Sequence, residues 1–186
     1  MKKVIFSSII IAMLLSGITT IFAEAAPQSV IDFGNSTLAG IGSDAAIVKA
    51  VKADNATGKS LDQIKAQDAK WKGTPGVADY MKAIMESDCA KRLKEIQGKH
   101  QFLSEIFVMD NKGANVAMTD KTSDYWQGDE AKFTKSFNDG KGAVHVSEVK
   151  FDDSSQSYLA QISVPVKDGG KVIGAICFGV NIDEFK

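Results

Sequence analysis

Residues 122–133, with the sequence TSDYWQGDEAKF, hold the side chains best suited to binding a small molecule. Tyr125 stands next to Trp126, and each ring combines a large apolar face with one polar atom. Two such rings could form a stacking wall for a ligand, and Asp124 beside them could orient an amine or cap a helix. The structural alternative is that both rings extend the core at the end of a sheet. Residue types alone leave both alternatives open.

Other polar candidates lie close to this stretch and near the end of the chain. Lys121 and Lys132 could meet a ligand carboxylate, although exposed lysines are common in proteins. Tyr158, Gln161 and Ser163 lie on a strand-like segment, where alternation places Gln161 and Ser163 on the same face. A buried Gln needs a hydrogen-bond partner, which a ligand, a neighbouring side chain or water could supply. These residues are candidates for the polar contacts of a ligand site.

The sequence contains no motif that indicates catalysis or a metal centre. The patterns G-x-S-x-G and H-E-x-x-H do not occur, and no His, Cys and Asp residues are grouped at metal-ligand spacing. His100 and His145 each stand alone. We therefore expect no enzyme activity, no metal and no cofactor.

The two cysteines, Cys89 and Cys177, leave two alternatives. In an oxidising compartment they could pair, and the long loop so closed would stabilise the fold by ~4 kcal/mol. Cys89 falls within an apolar helical stripe, however, where a Cys usually serves as a small buried hydrophobe. We favour two buried free thiols over the disulfide.

The start of the chain resembles an export signal. Two lysines precede an apolar run over residues 4–22, and the sequence AEA at 23–25 is a small-x-small cleavage pattern. We predict a signal peptide over residues 1–25 and a periplasmic protein; secretion and an uncleaved membrane anchor are the alternatives. The net charge of −1 argues against a nucleic-acid partner, because no basic surplus is available to replace phosphate counterions.

The first half of the mature chain has the composition of helices. Residues 26–74 form a predicted helical lead-in, within which Ser60 and Gln63 make a capping-box pattern. A longer helix is predicted over residues 75–97, because apolar residues recur at spacings of about four and line one face. That stripe consists of Met81, Met85, Cys89, Leu93 and Ile96.

The second half has the composition of strands. The segments FLSEIFVMD and ANVAMT flank a turn, and AKFTKSF forms a short helix. Three further strands follow: AVHVSEVKF, SYLAQISVPV and KVIGAICFGVNI. We predict an α+β fold with a five-stranded antiparallel sheet, a long N-terminal helix on one face and a loop-helix cap on the other.

The order of these motifs resembles the Cache, or PDC, domains, which are PAS-like extracytoplasmic sensor modules. The residues that carry the resemblance are IFVMDNKGANVAMTDKTSDYWQGDEAKFTKSF, the strand that contains Tyr158 and ends SVPV, and GGKVIGAICFGVNI. The resemblance implies a single sensor domain over residues 75–186, and we predict that it is a stand-alone form of such domains. It also implies that the loop-helix after the second strand, with residues of the third and fourth strands, encloses a small organic ligand.

The resemblance thus predicts an exported sensor domain that binds an organic acid, an amino acid or an amine. Tyr125, Trp126, Asp124, Tyr158, Gln161 and Ser163 are the predicted ligand-binding residues. We expect signalling through a separate membrane partner, either a sensor kinase or a chemoreceptor, with a homodimer as one form of assembly. The alternative is a non-catalytic interaction or dimerisation module of the same fold. A polar cavity beneath residues 122–133 would favour the sensor, and a filled space would favour the interaction module.

Overall fold

The computed structural model describes residues 24–152 and 156–186. The helices come first in this part of the chain: α1 (Gln28–Phe33), a π-helical turn (Gly34–Leu38), α2 (Ala39–Ile41), α3 (Ala45–Ala56), α4 (Leu61–Lys72), α5 (Asp79–Met85) and α6 (Asp88–Lys99). The remaining elements are β1 (Leu103–Met109), β2 (Asn115–Met118), α7 (Ala131–Phe137), a 3₁₀ turn (Asn138–Gly140), β3 (His145–Val146), β4 (Lys150–Asp152), β5 (Ser157–Asp168) and β6 (Lys171–Asn181).

Within the described residues the strands form one antiparallel sheet in the order β2-β1-β6-β5-β3, and β4 also pairs with β5. The predicted α+β class is confirmed, but the sheet has six strands and the prediction of five was wrong. The segment AVHVSEVKF is split into β3 and β4 near Ser147 and Val149. The Ser147 hydroxyl accepts the Gln161 amide N–H at 2.8 Å, and the Val149 N–H donates to the Glu24 carbonyl at 2.7 Å. Both contacts interrupt the ladder with β5.

The two faces of the sheet bury separate apolar clusters because side chains alternate along each strand. On β5, Ala160, Ile162, Val164 and Val166 belong to the first cluster, which we call the helix face. Helices α1, α3 and α6 supply its other side through residues such as Val30, Ile47 and Leu93. Full burial of such a side chain contributes ~1.5–3 kcal/mol, so this cluster is a main source of stability.

The second cluster lies on the opposite side, which we call the cap face. It joins Phe107 and Cys177 of the sheet to Trp71 of α4, Met81 of α5 and Phe133 of α7. The lead-in therefore contributes to both clusters, through α3 on the helix face and α4 on the cap face. The Ser60–Gln63 capping box that opens α4 is confirmed, since each side chain bonds the other residue's amide N–H at 3.2 and 2.8 Å.

The prediction of one continuous helix over residues 75–97 was wrong. The chain forms α5 and α6 instead, because Glu86 has non-helical angles (φ −116°, ψ 2°) and the Ser87 hydroxyl caps a new helix by accepting the Ala90 N–H at 3.1 Å. The break redirects the apolar stripe, so that Met81 packs on the cap face while Cys89 packs on the helix face.

The predicted signal peptide lies outside the described residues except at its end, residues 24 and 25. Among the helices of the described ranges, none has the length and apolar character needed to cross a bilayer.

Candidate functional site

The loop at residues 122–128 is attached to α4 by several contacts, and the Asp68 carboxylate binds two of its backbone amides. Oδ1 of Asp68 accepts the backbone N–H of Tyr125 at 2.9 Å and that of Trp126 at 3.1 Å. Lys72, one turn further along α4, pairs with Asp68 and also with Asp124. Asp68 is only 7% exposed, so these bonds form in a setting where an unsatisfied amide is costly. These contacts fix the position of the loop, and we refer to residues 122–128 as the lid.

The turn between β1 and β2 supports the lid from a second side. The Gln127 N–H donates to the Gly113 carbonyl at 2.8 Å, and the Trp126 indole N–H donates to the Lys112 carbonyl at 2.8 Å. Gly113 has a φ of +83°, and a β-carbon on it would come within 2.4 Å of the Cα of Gly128. Glycine is needed at position 113 both for the positive φ and for the close approach of the β1–β2 turn to the lid.

A cleft of about 600 Å³ lies between the lid and the cap face of the sheet. The sheet side supplies Glu105, Phe107, Gln161 and Asp152, and the covering side supplies Lys121, Thr122, Ser123, Gln127 and Lys132. A second compartment of about 330 Å³ extends toward β3 and β4 and shares Lys132, Asp152 and Gln161 with the first. The two compartments are thus adjacent, and both present charged and amide groups together with apolar surface.

Glu105 is one of the two carboxyl groups on the floor of the cleft, and Asp152 is the other. Burial raises the pKa of Glu105, while the nearby Lys132 ammonium and a hydrogen bond from Gln161 act in the opposite direction. The Lys132 ammonium lies 5.4 Å from the centre of the Phe107 ring and 3.1 Å from a Glu130 carboxylate oxygen. The cleft therefore holds groups of both signs at defined places.

The structure does not bring Tyr125 or Trp126 to this cleft. Tyr125 is 5% exposed and packs in the cap-face cluster beside Trp71, so its ring is part of the core. Its hydroxyl accepts a hydrogen bond from Lys59 at 3.1 Å, and burial raises its pKa. The Trp126 ring lies on the other side of the lid, where the Lys65 ammonium sits 4.8 Å from the ring centre. Tyr125 therefore extends the core, as in the structural alternative considered for both rings, and neither ring lines the cleft.

Of the remaining predicted residues, only Gln161 lines the cleft. Asp124 holds the lid: burial alone would raise its pKa, but hydrogen bonds from Lys72 and Ser123 outweigh this and lower it. Tyr158 is 52% exposed on the far side of β5 from Gln161 and makes an edge contact with Phe151 at 5.3 Å. Ser163 is fully buried opposite Cys177, so it is a core residue.

The disulfide alternative is wrong, since both cysteines are free. Cys89 lies in the helix-face cluster and Cys177 in the cap-face cluster, so the sheet separates the two thiols. Burial raises the pKa of each thiol to about 12, which keeps both protonated.

Sequence reasoning missed Asp68, Glu105 and Gln127. A charged residue within the β-rich run FLSEIFVMD was the available signal for Glu105, because a lone Glu on a buried strand face needs a specific setting. Asp68 gave no local signal, since it lies 57 residues from the amide that it binds. Lys121 and Lys132, considered as carboxylate partners, do line the cleft.

No protein-family model matches the chain, and no curated protein matches it. Solved structures to which this chain is similar include the sensor domain of the V. cholerae histidine kinase DctB (14% identity, TM-score 0.47, covering 84% of this chain and 55% of that one). Another is the ligand-binding domain of the Campylobacter jejuni chemoreceptor Tlp3 in complex with 4-methylisoleucine (13%, TM-score 0.41, covering 83% and 59%). A third is the ligand-binding domain of the Pseudomonas aeruginosa PAO1 amino acid chemoreceptor PctC in complex with GABA (13%, TM-score 0.40, covering 82% and 65%).

This chain spans between 55% and 65% of the length of these solved domains. All three are sensor or ligand-binding domains, and each match covers 82–84% of this chain.

Proposed function

We propose that this chain is an exported sensor domain that binds a small polar metabolite in the cleft beneath the lid. The observation that carries the proposal is the cavity itself: about 600 Å³ of space remains between the lid and the sheet, lined by Glu105, Gln161, Lys132 and Gln127. A space of this size is ordinary for a metabolite site, and a few convergent polar groups give such a site its specificity.

Ligand binding in the cleft would change the conformation of the protein through the lid. A ligand in the cleft would contact Thr122 and Gln127 of the lid and Glu105 and Gln161 of the floor at the same time. The lid is fixed to α4 through Asp68 and to the β1–β2 turn through Gln127. Since a ligand can shift an equilibrium only by its differential affinity for two states, these attachments define which elements would respond.

We place the protein in the periplasm, after removal of residues 1–25, and we propose that it reports to a membrane-bound sensor kinase or chemoreceptor. The export pattern at residues 1–25 supports the location. Residues 75–186 remain our proposed sensor unit, with residues 26–74 as its helical lead-in.

One feature favours the alternative, a protein-interaction or dimerisation module. Phe151 and Tyr158 are 48% and 52% exposed and contact each other across β4 and β5. Exposed paired aromatic residues are enriched at protein interfaces. A homodimer formed through this pair would be disrupted by Tyr158→Ser and detected by sedimentation.

The test of the sensor proposal is a thermal-shift screen of residues 26–186 against amino acids, organic acids and amines. A ligand at a hundred times its Kd should add ~2.7 kcal/mol of stability. The shift should be lost in Gln161→Leu, which changes the floor where the two compartments meet, and retained in Gln101→Leu, an exposed control outside the cleft. A shift that survives Gln161→Leu, or no shift across the library, would contradict the proposal.

A further inference from the structure

The two lysines that line the compartment beneath the lid already have partners. The Lys121 ammonium donates to the carbonyl oxygens of Thr74 and Gly76, each at 2.8 Å. The Lys132 ammonium pairs with Glu130, which precedes α7, at 3.1 Å. Each cation is therefore directed partly toward its own neighbours, and the capacity of the compartment to hold an anionic ligand is reduced.

Glu105, one of the two carboxyl groups on the floor, is in a different situation from these lysines. Glu105 forms no ion pair with any residue of the described ranges, and the Gln161 amide is its hydrogen-bond partner. Glu105 and Gln161 flank Gly179 in one row across β1, β6 and β5. A β-carbon on Gly179 would come within 2.8 Å of the Cγ of Glu105, so the absence of a side chain there provides the room in which the Glu105 side chain lies.

The lid contributes a second acceptor, and this one lacks a donor within the described residues. Gln127 is 1% exposed and lines the cleft. Its side-chain nitrogen donates to the Asp124 carbonyl at 2.8 Å, whereas its side-chain oxygen has no partner within residues 24–152 and 156–186. A buried acceptor without a donor is costly, and a ligand N–H would satisfy it.

We infer that the ligand carries an ammonium group, which the Glu105 carboxylate binds from the floor and the Gln127 side-chain oxygen binds from the lid. The inference rests on the proposed function and specifies its ligand class. An ammonium group has three donors and no acceptor, which matches a site whose unused groups are acceptors. Hydrogen bonds between an ammonium and a carboxylate are also among the stronger ones in proteins. Gly179 and Gln161 act as positioning residues for Glu105.

The probes that test this are amino acids, each compared with the amine that lacks its carboxylate and the acid that lacks its ammonium group. Leucine, 3-methylbutylamine and 4-methylpentanoate form one such set. The protein as exported, residues 26–186, is titrated with every set by calorimetry. At least one amine or amino acid should bind, and the acid from the same set should bind at least about tenfold more weakly.

Two further measurements separate Glu105 from the rest of the cleft. Glu105→Gln should weaken binding of the amine by about tenfold or more, since a charged acceptor is lost. Glu86→Gln, an exposed control between α5 and α6, should leave binding of the amine unchanged. In the unmodified protein, the affinity for the amine should fall as the pH is lowered through the carboxyl pKa, because protonated Glu105 no longer attracts a cation. The charges that face Glu105 are Lys132, Asp152 and Asp120.

The outcomes distinguish the inference from the proposed function. Binding of acids alone, or an amine affinity unchanged by both Glu105→Gln and low pH, overturns the inference and leaves a ligand-binding sensor. Binding of no member of any set overturns both.

Discussion

Replacement of Asp68 is the most direct test of how the lid is held. Asp68→Ala removes the shared acceptor of two backbone amides, one of them the buried N–H of Tyr125 and the other the partly buried N–H of Trp126. Asp68→Asn keeps a side-chain oxygen in the same place and removes only its charge. The two variants therefore separate the loss of an acceptor from the loss of a charge.

The structure sets the size of the effect. An orphaned buried donor costs ~1–3 kcal/mol, and bonds to a charged acceptor contribute ~1.5–3 kcal/mol each. Because the bond to the Trp126 amide is only partly buried, we count one full and one partial loss, or ~3–4 kcal/mol for Asp68→Ala. The Lys72 side chain is 52% exposed, so its ion pair with Asp68 adds little. Asp68→Asn should cost ~1–2 kcal/mol, because weaker neutral hydrogen bonds replace charge-assisted ones.

Urea denaturation followed by circular dichroism measures these free energies, and hydrogen exchange locates them. For a domain of this size, ~3–4 kcal/mol corresponds to a fall in Tm of about 6–15 °C. Exchange should accelerate first at the amides of Tyr125 and Trp126. Asp183→Ala, an exposed control, should stay within ~0.5 kcal/mol of the wild type. If Asp68→Ala behaves like that control, or exchange accelerates elsewhere first, our account of the lid is incorrect.

Four further results are expected. Burial raises the pKa of Glu105 in the folded state, so the contribution of this carboxyl to the free energy of unfolding is present below the unfolded-state pKa of ~4.3 and is lost as the pH rises through the folded-state pKa. The stability of Glu105→Gln relative to the wild type should therefore increase with rising pH. Urea titrations at several pH values measure this difference. Gly179→Ala should keep the fold at a cost of ~1–3 kcal/mol and weaken ligand binding by displacing Glu105, and an unchanged affinity would disprove the positioning role. Gly98→Ala should stabilise α6 by ~0.5–1 kcal/mol in the same denaturation assay, because its β-carbon meets open space; destabilisation would contradict this. The thiols of Cys89 and Cys177 should resist a thiol reagent until the protein unfolds, whereas reaction at the native rate of an exposed thiol would contradict their burial.

Local patterns predicted much of the fold. The capping box at Ser60, the hairpin turns and the alternation along β5 depend on neighbouring residues, so a sequence contains them directly. The break between α5 and α6 was not predictable in this way, because the stripe from Met81 to Ile96 keeps helical spacing across Glu86. Tertiary packing decided the outcome there, since the two halves bury on different faces of the sheet.

Of the six residues predicted to bind the ligand, only Gln161 lines the cleft beneath the lid. The lid was expected over a polar cavity, and such a cavity lies under it. Tyr125 attracted attention because aromatic rings suit ligand stacking, yet the same apolar area makes a ring a good core residue. Which way a ring on an irregular loop points depends on distant contacts, here the Asp68 carboxylate of α4, and no spacing rule encodes that.

The contact between Gly113 and Gly128 suggests how the protein could be converted into an optical reporter. The β1–β2 turn and the lid touch backbone to backbone there, so a displacement of the lid has to be accompanied by the turn. Asn111 lies in that turn with its side chain exposed, and it is not among the residues that line the cleft. A fluorophore attached through Asn111→Cys would lie outside the cleft, on the β1–β2 turn that moves with the lid. With both native thiols buried, the introduced cysteine would be the one that a dye labels in the folded protein.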